Sequence, residues 1–126
     1  MAKKVKAIII DDDISVIESF KMILEVQDHA VTTAMSMEEA IEAVKKDKFD
    51  IAFIDLRFNN QDIGLDILAK VKELSPSTEC CIVTGYASEK SKIRAVELGA
   101  MEYISKPFMM EVIYELVDRA LERKRK

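Results

Sequence analysis

Five short strand-like segments, three of them nearly unbroken apolar runs, punctuate this chain, and each hands over to a stretch with helical spacing. Ala7-Ile8-Ile9-Ile10, Ile51-Ala52-Phe53-Ile54 and Cys80-Cys81-Ile82-Val83 are almost unbroken, as strands covered on both faces of a parallel sheet should be. Strands are expected near 5–10, 30–34, 50–54, 79–83 and 101–104, labelled β1 to β5. Helices are expected near 14–27, 37–47, 64–74, 88–98 and 108–124, labelled α1 to α5. Strand and helix alternating five times predict an α/β doubly wound sandwich. Right-handed crossovers then place helices on both faces of the sheet. At 126 residues, with no linker, repeat or low-complexity segment, the chain reads as one domain over 1–126.

The helices carry their own punctuation. Met37, Ala40, Ile41 and Val44 repeat at i, i+3, i+4, i+7, and Ser36 with Glu39 forms a capping box ahead of them. Met109, Val112, Ile113, Leu116 and Ala120 make one stripe on α5. Pro76 closes α3, and Gly99 stands where α4 needs a left-handed C-cap.

Charge and composition exclude several classes. The net charge of −4 gives no general reason to expect nucleic-acid binding. The tail from Arg119 to Lys126 reads as the solvated end of a helix, where cations are favoured. No apolar stretch approaches the roughly 20 residues that span a bilayer, so no membrane association is expected. The basic start Met1-Ala2-Lys3-Lys4 lacks the apolar length and cleavage site of a secretory signal, so the expected location is cytoplasmic. Adjacent Cys80 and Cys81 point to opposite faces of a strand and read as small core residues. His29, the only histidine, reads as a solvated turn residue.

Polar groups follow the strands. Asp11, Asp12 and Asp13 follow β1, Asp55 follows β3, Thr84 follows β4 and Lys106 lies just past β5. Ligands of open parallel sheets bind outside the carboxyl ends of the strands, so these groups converge on one patch. Two carboxylates about 4 Å apart repel by roughly 4 kcal/mol at an effective dielectric near 20. Such a cluster needs a cation, a shared proton or a lysine. An all-oxygen set with few protein ligands suits Mg²⁺, and Asp13 doubles as a helix cap.

On these residues the chain resembles the receiver domain of two-component response regulators, from about Val5 to Leu121. The resemblance is carried by Asp11-Asp12, Asp55, Gly64-Leu65, Val83-Thr84-Gly85, Gly99-Ala100 and Tyr103-Ile104-Ser105-Lys106-Pro107-Phe108. It implies a flavodoxin-like (βα)5 fold with sheet order 2-1-3-4-5. It implies Asp55 as phosphoacceptor, taking its phosphoryl group from a sensor histidine kinase, a histidine phosphotransfer protein or a small phosphodonor. Asp11, Asp12, Asp55 and the backbone carbonyl of Arg57 would hold Mg²⁺, or Mn²⁺ in its place. Lys106 would pair with the phosphoryl group, and Gly85 would let the backbone approach it. Pro107 makes the Lys106 peptide a candidate for the cis form seen in this family. Thr84 and Tyr103 would switch the α4-β5-α5 face toward a downstream partner or output domain, with a phosphorylation-dependent homodimer also admitted. Arg57 and Tyr86 would tune phosphoryl lifetime. Such a protein is a signalling element rather than a turnover enzyme.

The loop Leu56 to Gly64 departs from the family pattern: it has no proline and one extra residue, and its polar stretch Asn59-Asn60-Gln61-Asp62 is expected to be more flexible. Two rivals remain. One is a receiver-shaped binding module that works without phosphorylation. The other is an aspartate-nucleophile phosphatase, to which Asp11-Asp12-Asp13-Ile14-Ser15 bears a loose likeness but which leaves Asp55 unexplained.

Overall fold

Burial on both faces is what the three unbroken apolar runs demand, and they fill the middle of the sheet. The computed structural model, which describes residues 3–124, pairs five parallel strands in the order β2-β1-β3-β4-β5. The central strands are β1 (Lys6–Ile10), β3 (Ile51–Asp55) and β4 (Glu79–Thr84), flanked by β2 (Ala30–Ala34) and β5 (Glu102–Ser105). The helices are α1 (Ile14–Glu25), α2 (Met37–Lys46), α3 (Gly64–Leu74), α4 (Glu89–Glu97) and α5 (Met110–Lys124). No helix among the described residues is long and apolar enough to cross a membrane.

Alternation along each strand sorts the side chains into two cores. Ile8, Ile10, Ala52, Ile54, Cys80 and Ile82 meet α2, α3 and α4 through Ala40, Val44, Ile67, Leu68, Val71 and Ala95. Ala7, Ile9, Ile51, Phe53, Cys81 and Val83 meet α1 and α5 through Ile17, Phe20, Leu24, Ile113, Leu116 and Val117. Cys80 and Cys81 therefore lie on opposite faces, free and buried, as their adjacency predicts.

The local signals act where they were read, with informative exceptions. Ser36 caps α2 by accepting from the Glu39 N–H at 3.1 Å, but the Glu39 carboxylate accepts from Met35 N–H, one residue before the cap. Gly99 has φ +99°, the left-handed conformation expected after α4. Met109 is not part of the α5 stripe: it precedes the helix and is 67% exposed. Phe108 takes the inward position instead, its ring 4.7 Å from that of Phe20. His29 is buried, not solvated, and its Nδ1 accepts the Val5 N–H at 3.0 Å. Burial pushes the His29 imidazole below its ordinary pKa and so favours the neutral ring that can accept this bond.

The basic tail is more engaged than a solvated helix end. Arg119 pairs with Glu102 at 2.9 Å, Arg123 with Glu79 at 3.4 Å and Lys124 with Asp50 at 3.4 Å. These pairs strap α5 across the starts of β5 and β4 and the residue just before β3. Positions 125 and 126 of that tail, and the start Met1-Ala2, lie outside the described residues.

Candidate functional site

Each central strand ends in a polar residue or is followed at once by one, and the parallel register brings those ends together. Asp11 directly follows β1, and its N–H still donates to Ala34 O at 3.0 Å, so the residue remains tied to the sheet. Asp55 is the last residue of β3. Ligand oxygens of Asp11, Asp12 and Asp55 all lie within 4.8 Å of one another. Asp11 and Asp55 are only 2% and 8% exposed, whereas Asp12 is half-buried at the mouth.

Lys106 is the counter-charge. Its Nζ lies 3.0 Å from Asp11 Oδ2 and 3.5 Å from Asp55 Oδ1. One ammonium does not offset the burial of two carboxylates. Asp55 is pushed up to about 6, first by burial and then by the charge of Asp11, against the opposing pull of Lys106. Burial likewise raises Asp11. An all-oxygen cluster whose ionised form is disfavoured in this way fits a hard divalent cation such as Mg²⁺.

Asp13 does the other job. Its Oδ1 accepts from Ser15 N–H at 2.9 Å, the N-cap of α1. The Asp13 N–H in turn donates to Asp11 Oδ1 at 2.9 Å, fixing one oxygen of that carboxylate.

The β3–α3 loop closes the site from one side. Phe58 and Gln61 exchange both backbone hydrogen bonds at 2.9 Å around Asn59 and Asn60, whose φ values are 49° and 64°. That geometry is a tight turn with two left-handed residues, a conformation asparagine tolerates better than most. Phe58 is buried beneath it and seats the turn against the core. The Asn59 N–H donates to Asp12 Oδ2 at 2.8 Å, which ties the turn to the acidic cluster. Gly64 ends the loop against the strand: a Cβ there would collide with the Asp55 carbonyl oxygen and with Leu56 Cα.

The opposite wall comes from β4 and β5. Thr84 is fully buried, and its Oγ1 accepts from Tyr86 N–H at 2.9 Å. A Cβ on Gly85 would meet nothing within 4 Å, so that side of the pocket is open. Arg57 and Tyr86 face each other across the mouth, with the guanidinium carbon 4.3 Å from the ring centroid. Lys106–Pro107 is cis, the form that the resemblance made a candidate. The pocket, ≈ 360 Å³, is lined by Asp12, Asp13, Asp55, Arg57, Gly85 and Lys106, with Asn59, Asn60 and Tyr86 at its mouth.

Tyr103 is separate from this pocket. Its hydroxyl is 2.5 Å from Ser91 Oγ and accepts from Ser88 N–H at 3.2 Å, which ties β5 to the first turn of α4. Two contributors escaped the sequence reading. The polarity of Asn59 and Asn60 suggests only a flexible stretch, although asparagine's tolerance of the left-handed conformation makes an Asn-Asn pair a turn signal as well.

This chain belongs to the response regulator receiver domain family, whose family model matches residues 7–118. Its relatives include the alginate biosynthesis transcriptional regulatory protein AlgB of Pseudomonas aeruginosa, 31% identical over 83% of this chain and 23% of that protein. The transcriptional regulatory protein ZraR of Salmonella typhimurium is 28% identical over 97% of this chain and 27% of its own length. The chain thus spans about a quarter of the curated relatives it matches. A response regulator receiver domain protein from Methanospirillum hungatei superposes with a TM-score of 0.90 at 28% identity, covering 98% of both chains. A Burkholderia pseudomallei response regulator, solved with a phosphorylated aspartic acid and a calcium ion, gives 0.85 at 30% identity over 98% of this chain and 72% of that one. The chain is therefore a receiver domain of two-component signalling, and receivers typically bind Mg²⁺ at an acidic cluster of this kind.

Proposed function

We propose that this receiver accepts a phosphoryl group on Asp55 from the phosphohistidine of a sensor histidine kinase or histidine phosphotransfer protein. In that step an Asp55 carboxylate oxygen attacks phosphorus, the N–P bond breaks, and its electron pair returns to the donor imidazole. The observation that carries the reading is the meeting of three carboxylates with one lysine at the strand ends, in a pocket open beside Gly85. Phosphoryl transfer needs positioning and charge neutralisation more than covalent help from many groups.

Asp11, Asp12, Asp55 and the Arg57 carbonyl would hold Mg²⁺, or Mn²⁺ in its place. When bound, the ion neutralises the carboxylates and the incoming phosphoryl oxygens. Lys106 supplies a positive charge beside the acceptor oxygen, and Asp13 orients Asp11 through its N–H. Thr84, buried with its hydroxyl at the strand end, and Tyr103, bonded to α4, would relay the added charge to the α4-β5-α5 face. That face would engage a downstream partner, an output domain or a second copy. The domain would act in the cytoplasm, as a single receiver unit over 1–126.

Incubation with acetyl phosphate and Mg²⁺, followed by mapping of the acyl phosphate, tests the assignment. Label on Asp55 that disappears in EDTA and in Asp55→Asn is expected. Label on Asp11 would instead favour phosphatase-type chemistry, and no label at all a phosphorylation-independent module. Arg57 and Tyr86 cover the mouth, so replacing both with small polar residues should shorten the phosphoryl lifetime several-fold by admitting water. A lifetime equal to or longer than that of the parent refutes this role.

A further inference from the structure

Arg57 and Tyr86 line two cavities at once. On one side is the acceptor pocket, and on the other a larger cleft of ≈ 640 Å³ between α3, α4 and the β3–α3 loop. The partition between them is the stacked guanidinium and ring. Arg57 Nη2 donates to Asn60 O at 3.1 Å, and its Nε lies 3.1 Å from Asp62 Oδ1. That Nε is buried yet has no partner in hydrogen-bond geometry, so the guanidinium is held by charge and stacking rather than by a full bonding set. Whatever fills the cleft presses on the same two side chains that close the acceptor pocket.

The lining of the cleft is chemically mixed. Leu56, Leu65 and Ile93 form an apolar body, with the Ser88 and Ser91 hydroxyls to one side. Arg57 is paired with Asp62, and Arg94 with Glu97 at 3.3 Å. Lys90 has no ion pair among the described residues, which leaves one unbalanced positive charge on the rim of a chain whose net charge is −4. Small-molecule sites typically enclose about 300–1,000 Å³ with apolar walls and a few placed polar groups.

We propose that the α3–α4 cleft binds a small amphipathic organic anion, an apolar ring body carrying one carboxylate or sulfonate, and that the Arg57–Tyr86 partition couples its occupancy to the acceptor pocket. The ring lies over Leu65 and Ile93, and the anion meets Lys90. Coupling is reciprocal: if a ligand in the cleft alters affinity in the acceptor pocket, filling the acceptor pocket alters affinity in the cleft by the same factor. The coupling rests on the reading of Asp55 as phosphoryl acceptor; binding in the cleft does not.

The probe is 8-anilinonaphthalene-1-sulfonate, titrated by fluorescence into the folded chain. Saturable one-to-one binding is expected, weakened about tenfold or more by Ile93→Asp, which places a carboxylate against the ring, and by Lys90→Glu. Met22→Asp on the far face of α1, where Met22 is 69% exposed, should leave affinity unchanged. Absence of binding, retention in both cleft variants, or equal loss in Met22→Asp overturns the site. The titration is then repeated with beryllofluoride and Mg²⁺, whose own binding is followed by ¹⁹F NMR. A shift in dye affinity of about threefold or more, lost in Arg57→Ala/Tyr86→Ala, supports the coupling. Unchanged dye affinity with beryllofluoride bound overturns the coupling alone. If beryllofluoride fails to bind, the acceptor reading and the coupling fall together, and the dye titration still decides the cleft.

Discussion

Asp55 is held where burial and a neighbouring carboxylate both oppose its ionisation, with only Lys106 against them. Its pKa of about 6 lies above the ordinary 3.8, so between those values the folded chain holds a proton that the unfolded chain has released. The sign follows from linkage: the stability from this group is fully present below the unfolded value and is lost as pH rises through about 6. Without divalent cations, Asp55→Asn should therefore stabilise the fold at pH 7.5 by about 1–3 kcal/mol. The gain should shrink toward zero near pH 4, and added Mg²⁺ should narrow it at pH 7.5 by stabilising the parent. Urea denaturation in EDTA at the two pH values measures this. Equal stabilities at pH 7.5 would mean that the carboxylate is better solvated than its burial implies. Gly64 shows the same tightness in the backbone, since its missing Cβ is what lets the loop return against Asp55.

Among the elements, the β3–α3 loop departs furthest from what composition alone suggests. Four polar residues in a row read as a mobile segment, yet the Phe58 side chain anchors the loop and the Phe58–Gln61 pair closes it. Asn59 and Asn60 both hold positive φ, which a β-branched residue resists. Asn60→Val should cost about 1–2 kcal/mol, whereas Asn60→Gly should stay within about 0.5 kcal/mol of the parent. Urea midpoints compare them, and similar losses for the two variants would show that the turn is not required.

Across the whole molecule, the sheet register links the edge that carries the acidic cluster to α4 and α5. Tyr103 holds the first turn of α4 through Ser88 and Ser91, and its neighbour Glu102 holds Arg119 of α5. β5 is thus fastened to both flanking helices within two consecutive residues. Tyr103→Ala should leave phosphorylation of Asp55 intact while weakening phosphorylation-dependent binding or self-association through α4-β5-α5 by about tenfold, in line with losing one interface anchor. Isothermal titration or sedimentation with and without beryllofluoride reads the effect. An unchanged affinity removes Tyr103 from the relay.

Periodicity carried the architecture. A short unbroken apolar run bounded by turn signals fits a strand covered on both faces, and the apolar spacing of the intervening segments fits one side of a helix, so the alternation, the layering and the edge bearing the acids follow from pattern, whereas the strand order 2-1-3-4-5 came from the family resemblance. Asp11, Asp12, Asp55, Thr84 and Lys106 were legible because each falls at, or within two residues of, the C-terminal end of a strand-like segment. His29, Met109 and the loop were not, because their fate depends on partners distant in sequence. Val5 offers an N–H to His29, Phe108 displaces Met109 from the core, and Phe58 finds a buried seat beneath its own turn. The Arg57–Tyr86 partition belongs to the same kind: 29 positions separate the two residues, and only the packing of β3 beside β4 brings a guanidinium over a ring. Pattern records what a segment must bury, whereas pairwise contact across the sheet sets which side chains share a wall.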